Sequence, residues 1–98
     1  MGLGKVIRLK RLFSHRSGRL CSVAVDHYIV YGIGLPASLR RIESTLAALV
    51  AGLPDAITMH KGVALSAWEQ FGGQVPWILQ TVIARPDDTA CEQVATVE

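Results

Sequence analysis

The apolar run from Leu20 to Val25 is the feature that most constrains the fold, because it leads directly into two ionisable residues, Asp26 and His27. A continuous apolar run bounded by turn signals is typical of a strand buried on both faces, as in a parallel sheet. Folds of the α/β class place their chemistry outside the carboxyl ends of such strands. The run therefore predicts a buried strand that leads into a site. The alternative is that Asp26 caps the following loop and His27 packs beside it.

Two more apolar runs, over residues 56–60 and 77–83, alternate with helical stretches and predict two further strands. The first helical stretch runs from Pro36 to Ala51 and the second from Val63 to Phe71, and a glycine follows each. Strands that alternate with helices predict right-handed crossovers and a parallel sheet of the α/β class. We expect the strands to lie in the order one, two, three, with the helices on one side.

The two ends of the chain also have helical patterns. Residues 4–15 predict a short amphipathic helix ahead of the first strand, and residues 90–98 predict the opening of another. The first nineteen residues hold no acidic residue and six basic ones: Lys5, Arg8, Lys10, Arg11, Arg16 and Arg19. Such a segment is more often the solvated face of a helix, but it is also typical of a surface that binds nucleic acid.

Composition favours one packed domain, since half of the 98 residues are apolar and 18% are charged. Cys21 and Cys91 form no metal-ligand pattern, and Cys21 is expected to act as a small hydrophobic residue inside the first strand. No apolar run reaches the roughly 18–20 residues that span a bilayer, and charged residues interrupt any signal-peptide pattern. We therefore expect a cytoplasmic protein with no membrane segment, no metal and no cofactor.

Motifs in a consistent order extend along almost the whole chain: Arg8–Phe13 with Ser17-Gly18-Arg19, Asp26-His27, Pro54–Thr58 leading into His60-Lys61-Gly62, Gln74–Leu79, and Val94–Glu98. In this order they resemble the archaeal-type class I fructose-bisphosphate aldolases, a branch of the deoxyribose-phosphate and tagatose-bisphosphate aldolase superfamily. The resemblance implies a TIM (β/α)8 barrel of roughly 250 residues. Residues 1–98 would be the amino-terminal part of that single domain, with the leading helix and the first three β/α units.

The resemblance also implies a chemistry, which is the Schiff-base cleavage or formation of a C–C bond in a phosphorylated keto-sugar. The imine lysine and a tyrosine acid/base lie beyond residue 98, so this part alone is expected to be inactive, and the complete protein is expected to be a homo-oligomer. Asp26 matches the first-strand aspartate, which acts on substrate hydroxyls, and His27 matches the histidine beside it. Tyr28 stands where the family usually has glycine. The alternative is a small non-catalytic α/β module that binds a partner or nucleic acid through residues 5–19.

The residues themselves favour particular roles. A partly desolvated Asp26 suits proton transfer. His27, as the next residue on a strand, points to the opposite side, so it lines the pocket only if the strand has already become a loop there, and the alternative is structural packing. Lys61 follows the second strand, where a lysine can serve as an imine nucleophile, a phosphate or carboxylate contact, or a salt-bridge partner. We predict that Asp26 and Lys61 face the same open side and that Lys61 and His27 contact the substrate. Other candidates are the pocket residues Tyr28, Tyr31 and His60 and the core residues Trp68, Phe71 and Trp77.

Overall fold

Helices and short strands alternate along the computed structural model, which describes residues 1–27, 35–83 and 94–95. The elements in chain order are α1 (Leu3–Leu12), β1 (Ser22–Ala24), α2 (Ala37–Arg40), α3 (Ile42–Ala51), β2 (Ala56–His60), α4 (Lys61–Phe71), β3 (Trp77–Gln80), β4 (Val82–Ile83) and β5 (Val94–Ala95). Among these residues, no helix has both the length and the apolar character needed to cross a membrane.

Three parallel strands form the main sheet, in the order β1-β2-β3. The register aligns Val23 with Ile57 and Ile57 with Trp77. Pairing continues past the end of β1, where the Val25 amide donates to the Thr58 carbonyl at 2.8 Å. The predicted α/β class, parallel pairing and strand order are therefore confirmed.

The core lies between one face of the sheet and helices α3 and α4. Val25, just after β1, and the alternate residues Ile57 and Met59 of β2 are almost wholly buried there. Their partners from the two helices are one turn apart on each: Leu46 and Val50 on α3, and Ala67 and Phe71 on α4. Burying each large apolar side chain contributes about 1.5–3 kcal/mol. Because side chains alternate along a strand, residues such as Thr58 and His60 belong to the opposite face.

The first strand is shorter and more exposed than its apolar run predicts. Ser22 and Ala24 are exposed, and Val25 just after the strand is the buried residue of this stretch. Cys21 precedes β1 and is exposed, so its predicted place inside a buried strand is wrong. The reason is that β1 is at the edge of the three-stranded sheet and the helices cover only one of its faces.

The third strand ends earlier than predicted. Val82 and Ile83 leave the parallel sheet after Gln80 and pair antiparallel with Val94 and Ala95. The helix expected over 90–98 is therefore wrong at Val94–Ala95. No glycine or proline marks the break at Thr81, so apolar periodicity reads the two strands as one. The sequence also predicts loops at Gly32 and Gly34 and over residues 84–90, and these positions lie outside the described residues.

Helix α1 forms within the segment predicted to be helical. Its apolar side chains do not pack into the core, however, because none of its residues is buried. Trp68 also departs from its predicted core position, since 63% of its surface is exposed. Its ring nevertheless packs edge-on against Trp77, with centroids 6.1 Å apart. Phe71 is buried and Trp77 packs against the core, as predicted.

Candidate functional site

Three polar residues lie level with one another at the carboxyl ends of the three parallel strands. The register pairs His60, the last residue of β2, with Gln80, the last residue of β3. Asp26 comes two residues after the pair Ala24–Thr58 and is therefore level with His60. All three belong to the face of the sheet that the helices leave open, because side chains two positions apart share a face.

Hydrogen bonds connect these residues across the sheet. The Gln80 side-chain amide donates to Asp26 Oδ2 at 3.2 Å, and His60 Nε2 donates to the Asp26 backbone carbonyl at 3.0 Å. All three residues are half-buried. Asp26 lies beyond the last strand residue of β1, so contacts from β2 and β3 hold its backbone and carboxylate in place.

The donor pattern defines what this cluster can do. A carbonyl oxygen can only accept, so the proton of the His60–Asp26 bond is on Nε2. Gln80 occupies Oδ2 of the carboxylate, whereas Oδ1 accepts no hydrogen bond from the part of the chain that the structure describes. An oriented carboxylate with one such oxygen can accept a proton or a hydrogen bond from a ligand hydroxyl. We refer to Asp26, His60 and Gln80 as the carboxylate cluster.

Lys61 lies at the same end of the sheet as the carboxylate cluster. It is the first residue of α4 and directly follows His60, because no loop separates β2 from that helix. Its side chain is exposed. An exposed amine lacks the desolvation that makes lysine a good imine nucleophile. The position favours contact with an anionic ligand over covalent chemistry.

The remaining candidates from the sequence, His27, Tyr28 and Tyr31, are not part of the carboxylate cluster. His27 is half-buried at the position after Asp26. Tyr28 and Tyr31 lie outside the described residues. Within residues 1–27, 35–83 and 94–95, no group of three or more His, Cys, Asp or Glu side chains is arranged to hold a metal ion.

Gln80 is the site residue that sequence reasoning missed. A third strand drawn to residue 83 places Gln80 inside the strand, whereas the observed strand ends at that residue. The available signal was chemical, since Asp26, His60 and Gln80 are each a polar residue at the end of an apolar run.

The comparison with known families adds no assignment to this geometry. No protein-family model matches the chain.

Proposed function

We propose that this chain is the amino-terminal part of a class I aldolase of the archaeal fructose-bisphosphate type. The proposal assigns residues 1–98 to the leading helix and first three units of one TIM (β/α)8 barrel. Its support is the ordered set of motifs from Arg8 to Leu79, together with three parallel strands that are neighbours in sequence order. Consecutive parallel strands in that order are what the start of such a barrel requires.

The observation that carries the proposal is the carboxylate cluster on the open face of the sheet. In a closed barrel, the face away from the helices becomes the interior, and the active site lies at the carboxyl ends of the strands. Asp26, His60 and Gln80 have that position here. An aspartate buried in the helix layer would have contradicted the assignment.

The proposed reaction gives each residue a specific task. A lysine further along the barrel condenses with the ketose carbonyl and releases water, and the resulting iminium accepts the electron pair of the breaking C–C bond. The departing carbon becomes an aldehyde as its hydroxyl loses a proton. Asp26 Oδ1 acts on a substrate hydroxyl, and Gln80 holds the carboxylate. Lys61 contacts a phosphate of the substrate, and His27 is assigned a second substrate contact.

The test uses the polypeptide encoded through the codons that follow Glu98. We expect borohydride to trap a covalent adduct with a keto-sugar phosphate and to abolish aldol cleavage. Asp26→Asn keeps the shape but removes the base, and we expect turnover to fall by ~10²–10⁴-fold. Glu43→Gln, at an exposed carboxylate on α3, is the control and should cleave normally.

Two results would reject the aldolase. The first is a stop codon directly after Glu98, which favours the non-catalytic module. The second is a longer protein that yields no trapped adduct. Near-normal turnover in Asp26→Asn would contradict the role proposed for that carboxylate. It would not reject the aldolase itself, which the borohydride trapping tests separately.

A further inference from the structure

A groove of about 900 Å³ separates helix α1 from the end of α4 and the start of β3. Its lining includes Pro76, which precedes β3, so the groove lies at the amino end of the sheet. Asp26 and the carboxylate cluster lie at the carboxyl end. The groove is therefore separate from the proposed aldolase site, and its volume is within the range of about 300–1,000 Å³ that is common for small-molecule sites.

One wall of the groove is basic. Lys5, Arg8 and Arg11 succeed one another at steps of three along α1, and all three are exposed. Among the described residues that line the groove, none is acidic. The segment that carries this wall, residues 1–19, contains no acidic residue at all. The charge favours an anionic ligand, and arginine in particular matches the geometry of a phosphate group.

The opposite wall is aromatic and is held in place. Trp68 lines the groove with 63% of its surface exposed, and its ring packs edge-on against Trp77. A Cβ atom built on Gly72 would lie 2.6 Å from Trp68 Cε3, so the ring lies directly against the Gly72 backbone. An exposed tryptophan ring that is fixed on two sides provides a flat stacking surface.

We propose that this groove binds a nucleotide, with its phosphate groups on the α1 cations and its base stacked on Trp68. The combination of basic side chains and an exposed aromatic ring is the chemistry that proteins use for nucleotides. A sugar phosphate would need several polar groups for its hydroxyls, whereas the wall around Trp68, Trp77 and Pro76 is mostly apolar. The ligand is either a free nucleotide or one nucleotide of a single strand, because both present the same groups.

Thermophoretic titration of the fluorescently labelled chain tests the proposal with ADP, adenosine, pyrophosphate and a short oligothymidylate. The protein is kept at nanomolar concentration, where association between chains does not compete with ligand binding. The titrations are made at low ionic strength, where charge pairs are least screened. We expect ADP or the oligonucleotide to bind more tightly than either pyrophosphate or adenosine, because only a complete nucleotide uses both walls. Tighter binding of ADP identifies a free nucleotide as the ligand, and tighter binding of the oligonucleotide identifies a strand.

Two variants separate the walls. Trp68→Leu should raise the dissociation constant for the nucleotide by about 5- to 150-fold, the scale of one lost stacking contact, and leave that for pyrophosphate unchanged. Arg8→Glu should raise the dissociation constants for both the nucleotide and pyrophosphate by about 10-fold or more. Leu65→Ala on the exposed side of α4 and Arg41→Glu, a basic residue away from the groove, are the matched controls.

Arg8→Glu keeps the test decisive even if Trp68→Leu fails to fold, because no residue of α1 is buried. The proposal is overturned if neither ADP nor the oligonucleotide binds. It is also overturned if Arg8→Glu binds as tightly as the unchanged protein, or if a folded Trp68→Leu variant keeps full affinity for the nucleotide.

Discussion

Leu53 is strained by its backbone conformation. Its φ of 50° is in the left-handed region, and its side chain is 72% exposed, so no packing compensates for the strain. That conformation costs a non-glycine residue about 1–2 kcal/mol. A glycine at this position would avoid the cost but would lose about 0.5–1 kcal/mol through its greater freedom in the unfolded chain. Leu53 follows Gly52, the residue that caps α3, so the chain leaves the helix through a residue poorly suited to this backbone conformation.

Leu53→Gly is therefore expected to raise the free energy of unfolding by up to about 1.5 kcal/mol. The same substitution at Leu65, which is 69% exposed within α4, should lower it by about 1 kcal/mol because glycine disfavours a helix interior. Urea unfolding of the two variants measures both changes. Changes of the same sign would show that the conformation of Leu53 does not cost stability.

At the scale of elements, Asp55 connects the beginnings of β1 and β2. The Cys21 amide donates to Asp55 Oδ2 at 2.7 Å, and the Asp55 amide donates to the Cys21 carbonyl at 2.9 Å. Strand β1 has only three residues, so this pair of bonds is a large part of what holds it to the sheet. The Asp55 carboxylate thus adds one hydrogen bond to the β1–β2 pairing, at the Cys21 amide, which no backbone carbonyl of β2 accepts.

Asp55→Ala should lower the free energy of unfolding by about 1–3 kcal/mol, since it removes the charged acceptor of the Cys21 amide. The backbone hydrogen bond from the amide of residue 55 to the Cys21 carbonyl remains. Hydrogen exchange should show the loss first at the β1 amides, with Val23 exchanging faster and the amides of β3 changing little. Asp55→Asn retains an acceptor oxygen and is the control, with a smaller effect. Equal acceleration in β1 and β3 would mean that Asp55 supports the whole sheet and not one strand.

At the scale of the whole molecule, the edges of the main sheet determine how the chain behaves in solution. Within the described residues, β1 and β3 each pair with β2 alone, so their outer sides have no partner in that sheet. Leu20 and Leu79 beside these edges are 36% and 50% exposed. Unprotected apolar edges can pair with other chains.

We therefore expect the 98-residue chain to associate at micromolar concentration. Sedimentation velocity should show oligomers, and a dye that binds exposed apolar surface should fluoresce in the same sample. Leu79→Lys, which charges one edge, should shift the distribution toward the monomer, whereas Leu53→Lys, exposed but away from the sheet, should not. A compact monomer with a cooperative thermal transition would contradict this account of the edges.

Local patterns in the sequence were sufficient for several elements. Strand β2 was predicted over its observed residues, 56–60, because turn residues precede it and a charged residue follows it. Helix α4 was predicted from its apolar spacing and the glycines after it, although it begins two residues earlier than expected. Periodicity and end signals act over a few residues, so a single segment carries enough information to determine them.

Other features required the tertiary structure. Gln80 and Asp26 are 54 positions apart, and only the registers of β1 with β2 and of β2 with β3 bring them into contact. The turn of Val82–Ile83 into an antiparallel pair with Val94–Ala95 depends on a partner strand that the local pattern does not specify. The exposure of β1 follows from its edge position and from a face that the helices leave open. Strand pairing and burial are contacts between distant segments, so they are decided only when the whole chain is folded.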